Sequence, residues 1–459
     1  MQKTYDPEKT KKDKDLAKQI AEKAAALGGR VYYVGGLVRD SILHGQDAGG
    51  DVDIEVHGIQ PQELWNIISG VGKPLQYGSS FGVYGIAGSD IDIAIPRKEH
   101  ATGRGHRDFE IFVDPHIGPV NAARRRDFTV NALMQDVLTG EILDPYGGLK
   151  DIEARVLRCV DPESFVEDPL RVLRCARFAA ALNFTVDPDT VKLCSTMDIS
   201  TLTRERVEGE LRKVLTGTEK PSVFFRVLRQ MDQLETWFAE LKQLIGLEQD
   251  PQYHPEGDVW THTMDVLDRA AAMQGKAEQP YAFMLLALTH DFGKIVSTEF
   301  VNGRIHAYGH ETAGLPIIEG FLRRFTEETS VISYVLNMAE LHMKPNMMAF
   351  NKSAVKNTNK LFDSAASAPD LILMAMADHP VISGDTPFSG DEGFLTERLE
   401  IYRQTMAKPY VMGRDLIEAG LKPGEDFGKL LEYAHKLRLA GIDKETALKQ
   451  VLAMARKQQ

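Results

Sequence analysis

One short segment sets the terms for the whole chain. Asp51 and Asp53 stand one residue apart beside Val52 and Ile54, shortly after the paired glycines Gly35 and Gly36 and the dipeptide Arg39–Asp40. Apolar and acidic residues alternate here with the period of a strand buried on one face. Val52 and Ile54 are thus expected to face a core, and Asp51 and Asp53 to share the other face. Two carboxylates so placed can share a hard divalent cation, as is usual where phosphoryl or nucleotidyl groups are transferred. Gly35 and Gly36 would let backbone approach a triphosphate. A further carboxylate is available at Asp92, on a second strand-like run where Asp90 shares its face. The plain alternative, a solvated strand edge, is the better reading of an isolated Asp-x-Asp.

The rest of the chain narrows the class. At 459 residues, 43% hydrophobic and 26% charged, it is globular in composition and long enough for roughly three or more domains. A net charge of -12 argues against a protein that coats nucleic acid indiscriminately. Cys159, Cys175 and Cys194 are odd in number and lack CxxC spacing, so neither a disulfide framework nor a thiolate metal site is expected. The N-terminal stretch is charged throughout, and the longest apolar run, near Tyr281–Leu288, is too short to span a bilayer. A cytoplasmic chain with no membrane partner is expected; the sequence leaves its oligomeric state open.

Along the chain, the spacing predicts a helix over Leu16–Leu27 that stops at Gly28 and Gly29. Five or six short strands separated by glycine loops follow, ending in a hairpin that turns at Thr139 and Gly140. From Asp168 onward helical spacing dominates, broken near Pro251 and Pro255 and again after Asp378, which brackets a helical unit from about Trp260 to Asp378. The expected class is α+β: a head over 1–150, a helical neck over 151–250, a second metal-binding domain over 251–400 and a helical tail over 401–459.

Five segments in order carry a resemblance: Val34–Val56, Arg124–Leu133, Leu143–Arg158, Phe165–Phe184 and Arg204–Leu215. Together they closely resemble the bacterial CCA-adding enzymes and poly(A) polymerases, class II nucleotidyltransferases. The resemblance implies a polymerase-β-like head with a mixed sheet. It makes Asp51 and Asp53, with Asp92 beside them, the catalytic carboxylates that bind Mg²⁺. It puts Gly35, Gly36, Arg39, Arg125, Arg126, Asp127 and Asn131 around the nucleotide, with Arg39–Asp40 fixing the loop and Arg124 a surplus exposed charge. It makes Asp168 and Arg171 the base-reading pair, and the tRNA 3′ end, CTP and ATP the partners. The glycine-rich basic loop with Arg104, His106 and Arg107 corresponds to a region that helps switch base specificity.

The base-reading pair also has a direct physical reading. Asp168 and Arg171, three apart, would lie on one helix face as an acceptor beside a donor. Cytosine and adenine present an amine donor next to a ring-nitrogen acceptor, and uracil and guanine reverse that order. The pair would therefore choose C and A; an ordinary surface ion pair is the alternative. Arg174 and Arg177 continue the face toward phosphates or RNA.

A second constellation lies downstream. His262, adjacent His290 and Asp291, and distant Asp378 resemble the HD phosphohydrolase superfamily, whose four ligands hold a divalent metal. His310 and His342 fall between them, as in members with two metals. The identity of the metal is not readable. His254 and His306 are left to supporting or surface roles, and Lys294 is available to neutralise a phosphate. The combined expectation is a template-independent RNA 3′-terminal nucleotidyltransferase adding CCA to tRNA, with phosphatase or phosphodiesterase activity in the HD domain. A poly(A) polymerase, an A-adding enzyme and a non-catalytic tRNA-binding protein are the alternatives.

Overall fold

The computed structural model describes residues 7–45, 51–77, 82–101, 109–379, 389–424 and 426–458. The chain divides into two compact units, 1–237 and 238–459.

The strands of the first unit up to residue 143 are β1 (Arg30–Val34), β2 (Asp53–His57), β3 (Pro74–Tyr77), β4 (Val83–Ile86), β5 (Asp92–Ala94), β6 (Arg97–Ala101), β7 (Phe109–Val113), β8 (Met134–Asp136) and β9 (Ile142–Leu143). Among the described residues, seven form one mixed sheet in the order β3-β4-β5-β2-β1-β8-β9, while β6 and β7 pair as a separate ribbon. The single parallel pairing of that sheet joins β2 to β5 and sets Asp53 opposite Asp92. Helix Pro7–Ala25 buries Ala17, Ile20, Ala21 and Ala24, spaced three or four apart, against Val52, Ile54 and Val56. The even-numbered residues of β2 thereby enter the core, and the odd ones are left on the opposite face.

The predicted hairpin is present as β8–β9, with Gly140 at φ 74° in its connection. Thr129–Asn131, just before its first strand, form a 3₁₀ turn. Beyond the sheet, helices Leu170–Leu182, Arg204–Gly217 and Ser222–Gln230 pack together.

The second unit is mostly helical. Helix Pro280–Thr289 is buried from Tyr281 through Thr289. The apolar run seen in the sequence is therefore a central core helix, against which helices Val259–Met273 and Thr329–Leu341 pack. Among the described residues no helix is long and apolar enough to cross a membrane. Between Trp260 and Asp378 the structure departs from an all-helical unit, because Glu299–Val301 and Arg304–His306 form an antiparallel hairpin. Its turn is Asn302–Gly303, both at positive φ (52° and 81°), the geometry that the right-handed twist of paired strands favours. Helices Phe427–Leu439 and Lys444–Gln458 close the chain over a shared core of Leu430, Ala434, Ala447 and Val451.

Candidate functional site

Two groups of ionisable residues stand out, one in each unit. In the head, Asp53 opens β2 and Asp92 opens its parallel neighbour. Partial desolvation, then the charges of Asp51 and Asp90, push the Asp92 carboxyl above its usual range. A carboxylate raised by burial and by acidic neighbours is suited to a shared cation. Gly35 turns the chain at φ 71° immediately before helix Gly36–His44. A Cβ there would sit 3.5 Å from Arg126 Nη1 and 3.7 Å from Asp53 Oδ2. The positive φ is the reason the turn is glycine; a Cβ there would make only ordinary contact with the site side chains.

Glu55, a third carboxylate on the same face of β2, was not singled out in the sequence. It is 1% exposed and meets His57 Nε2 at 2.9 Å, Arg125 Nη2 at 3.2 Å and Arg126 Nη2 at 3.8 Å. Burial pushes this carboxyl up, but the His57 hydrogen bond and the Arg126 and Arg125 charges outweigh it and hold the group at about 2. Glu55 therefore anchors both arginines beside Asp53. The signal was its position two residues after Asp53 in the same alternation.

Arg39 binds Asp40, the pairing expected to fix the loop after Gly35 and Gly36. It is buried, with Nε and Nη2 at 2.8 and 3.0 Å from the Asp40 carboxylate and Nη1 donating to Asn131 Oδ1 at 2.7 Å. Asn131 in turn donates to buried Asp127 at 3.0 Å, and Arg174 donates to Asp127 at 2.8 and 2.6 Å. Arg177 pairs with Glu210. Arg39, Arg174 and Arg177 all lie over the Phe178 ring, at 5.4, 5.3 and 4.0 Å from its centroid. Arg174 and Arg177 are thus occupied by carboxylates, which a buried guanidinium requires. Arg124 is half exposed and pairs with Asp161 and Glu163, each at 3.1 Å.

Asp168 and Arg171 do not form a helix-face pair. The helix begins at Leu170, so Asp168 precedes it, and Pro169 separates the two. Asp168 accepts from Arg206 Nη2 at 3.0 Å. Arg171 donates to the Ser164 carbonyl at 2.7 Å and the Arg125 carbonyl at 2.6 Å. The base-reading candidate is therefore tied by backbone to the segment carrying Arg125 and Arg126. Arg104, His106 and Arg107 lie outside the described residues.

In the second unit, all six predicted ligands converge. His262 lies on helix Val259–Met273, and His290–Asp291 follow helix Pro280–Thr289. His310 opens a short helix, His342 follows helix Thr329–Leu341, and Asp378 ends helix Ala368–Asp378. His262 Nε2 lies 3.0 Å from Asp378 and 3.6 Å from Asp291. His290 Nε2 lies 3.3 Å from Asp291 and 3.4 Å from Asp378. The other Asp291 oxygen meets His310 Nε2 at 3.3 Å and His342 Nε2 at 4.0 Å. Asp291 thus joins two ligand groups, His262–His290–Asp291 and Asp291–His310–His342.

Each histidine has its Nδ1 engaged away from this centre. His290, His310 and His342 use the carbonyls of Ala287, Ala307 and Ala339, at 3.0, 2.8 and 2.5 Å. A carbonyl only accepts, so each Nδ1 carries a proton and Nε2 is the atom free to ligate. His262 Nδ1 meets Glu256 at 2.7 Å, and His254 Nδ1 meets the same oxygen at 3.0 Å. Glu256 was not foreseen; it fixes His262 as a carboxylate behind a metal-binding imidazole does.

The donor chemistry fits a divalent metal. His290 Nε2 is buried without a hydrogen-bond partner. Burial opposes its protonation, yet the Asp291 and Asp378 charges raise His290 to about 10, while burial and then the His290 charge hold His342 down at about 4. A positive charge is thus favoured between the two carboxylates. Lys294 Nζ lies 2.8 Å from Asp291 and donates to Gln249 at 2.6 Å. A cleft of about 550 Å³ opens over this centre, with Asp291, Lys294, His310 and Asp378 in its lining.

Comparison with known proteins defines first the class. Residues 31–158 match the Poly A polymerase head domain and residues 259–379 the HD domain. The chain belongs to the family of multifunctional CCA proteins, enzymes of the CCA-adding nucleotidyltransferase class. It is 34% identical over 435 residues to the multifunctional CCA protein of Xanthomonas campestris pv. campestris strain B100, covering 92% of this chain and 100% of that one. It is 36% identical over 327 residues to that of Actinobacillus pleuropneumoniae serotype 5b, covering 70% and 77%. Among solved structures, a CCA-adding enzyme in an apo form superposes with TM-score 0.68 at 22% identity, covering 96% of each chain. The Thermotoga maritima CCA-adding enzyme complexed with tRNA gives 0.64 at 21% identity, covering 99% of this chain and 97% of that one. These likenesses establish the α+β fold.

Proposed function

We infer that the chain builds the CCA end of tRNA from CTP and ATP at its head, and that its HD centre hydrolyses phosphate esters. The observation that carries the first reading is the register of β2 and β5, which sets Asp53 opposite Asp92 with Asp51 close enough to raise the Asp92 pKa. Names of relatives support it: related structures include complexes with tRNA, with ATP and with CTP. Asp51, Asp53 and Asp92 would hold Mg²⁺. When bound, such ions stabilise charge on the phosphoryl oxygens and favour the hydroxyl nucleophile.

The chain's own groups do the rest. Arg125 and Arg126, anchored by Glu55, stand beside the carboxylates to take up triphosphate charge. Arg171 spends two of its five N–H groups on carbonyls and keeps the remainder for an acceptor on the base. Asp168, held by Arg206, is the acceptor for the exocyclic amine. An acceptor beside a donor selects C and A. Head 1–150, neck 151–250, HD domain 251–400 and tail 401–459 are the proposed division of these tasks, and a cytoplasmic location suits them.

Transcripts ending before CCA, after C and after CC, each incubated with labelled CTP or ATP, test this at single-nucleotide resolution. Stepwise extension stopping at CCA is expected. A long A ladder on any RNA would make the chain a poly(A) polymerase, and absence of incorporation across Mg²⁺ concentrations would remove the nucleotidyltransferase reading.

The second reading is carried by the convergence of four imidazole Nε2 atoms on Asp291 and Asp378. His262, His290, Asp291 and Asp378 would hold one divalent ion, and Asp291, His310 and His342 a second. Bound ions would lower the pKa of a water and polarise a phosphate ester. RNA 3′ ends bearing a phosphate or cyclic phosphate are the coherent substrates.

A further inference from the structure

The cleft above the HD centre has two chemically different ends. Its floor is ionic, with Asp291, Lys294, His310 and Asp378; its wall includes the rings of His306, Tyr308 and Tyr253. His306 and Tyr308 are stacked, with centroids 4.8 Å apart and planes at 12°. Tyr308 is 80% exposed, so a broad aromatic surface is available beside the cleft.

The stack is held close to the metal-binding residues by the chain itself. Tyr308 follows Ala307, whose carbonyl accepts from His310 Nδ1, and precedes His310 by two residues. Two residues of chain span at most about 7 Å between Cα atoms. The neighbouring lining is latched: Arg304 of the hairpin binds Asp250 at 2.8 Å and Gln252 at 2.7 Å and lies 5.7 Å over the Tyr253 ring. The cleft therefore joins a flat aromatic platform to a phosphate-handling floor.

We propose that Tyr308, backed by His306, is the side chain on which the HD site stacks the base of its substrate. The proposal rests on the hydrolase reading for its reaction but on the ring stack for the base contact. Stacking on an aromatic side chain accepts any base, so the platform confers no sequence specificity. Tyr308 touches the base and positions the ester; it takes no part in bond cleavage.

The test compares wild type, Tyr308→Ala and Tyr308→Phe with Mg²⁺, Mn²⁺, Co²⁺ or Ni²⁺, using adenosine 3′-monophosphate and the base-less glycerol 2-phosphate. Tyr308 is exposed, so its replacement leaves the fold intact. Tyr308→Ala is expected to raise KM for the nucleotide about ten-fold at unchanged kcat, while Tyr308→Phe retains wild-type KM. Hydrolysis of glycerol 2-phosphate is expected to be unchanged in both variants. Equal loss on both substrates, or an unaltered KM for the nucleotide, would overturn the platform.

Absence of hydrolysis of both substrates by wild type with all four metals would remove the hydrolase reading, and calorimetric binding of adenosine 3′-monophosphate then decides the platform. Because Tyr308 lies in the second unit, the difference between wild type and Tyr308→Ala cancels binding at the head. About ten-fold weaker binding in the alanine variant supports stacking, and equal affinity refutes it.

Discussion

Asp53, Asp127 and Glu256 are all acidic residues near a candidate site, yet substitution of each should fail in a different way. Asp53→Ala is expected to abolish nucleotide addition while tRNA binding persists, read by primer extension beside a gel-shift titration. Asp127 instead holds Arg174, Asn131 and the Phe128 amide in a buried network. Burial pushes its carboxyl up, and the Arg174 charge and the hydrogen bonds bring it below the usual range. Asp127→Asn breaks this ion pair and should cost about 3–5 kcal/mol in chemical denaturation. Lost activity in that variant would therefore accompany lost stability. Glu256→Gln weakens the partner of His262 Nδ1 and should lower divalent-metal affinity at the HD site by about 10- to 100-fold, measured by metal titration. These roles were unequally legible. Alternation exposed Asp51 and Asp53, but the arginine partners depend on which carboxylates arrive from distant segments. Glu210 reaches Arg177 across 33 residues, a pairing that local spacing does not encode.

Strands and helices were more readable than their edges. The apolar faces of helix Pro7–Ala25 and of β2 follow directly from spacing. Helical spacing does not place Asp168, which stands before the helix that begins at Leu170 and accepts from the Leu170 amide at 3.1 Å. The hairpin at Asn302–Gly303 carried its own signal, an Asn-Gly dipeptide between short strands, masked by the helical spacing on either side. At the turn before helix Gly36–His44, Gly35→Ala places a Cβ on a backbone at positive φ, beside Arg126 and Asp53. It should destabilise the head by about 1 kcal/mol or more and raise KM for both CTP and ATP, since the turn serves every nucleotide alike. Equal denaturation midpoints and unchanged KM values would refute this.

The chain as a whole keeps its two candidate sites in separate compact units. Substitutions in them should therefore act independently. Asp53→Ala removes addition and spares hydrolysis, His290→Ala does the reverse, and the double variant loses both without further change in either; both activities are assayed on the same preparations. The pairing of a Poly A polymerase head with an HD domain was accessible only through ordered motifs, because composition and charge are compatible with many enzymes. The histidine centre also has a regularity visible in one dimension. Ala287, Ala307 and Ala339 each stand three residues before a ligand histidine and each offer it their carbonyl. The position of the proton on those three rings is consequently inherited from a single turn of local backbone, whatever the distance between the segments in the chain. The three rings therefore come to the centre already protonated at Nδ1, and the Nδ1 ¹⁵N resonances of His290, His310 and His342 should all report a protonated nitrogen before any ion arrives.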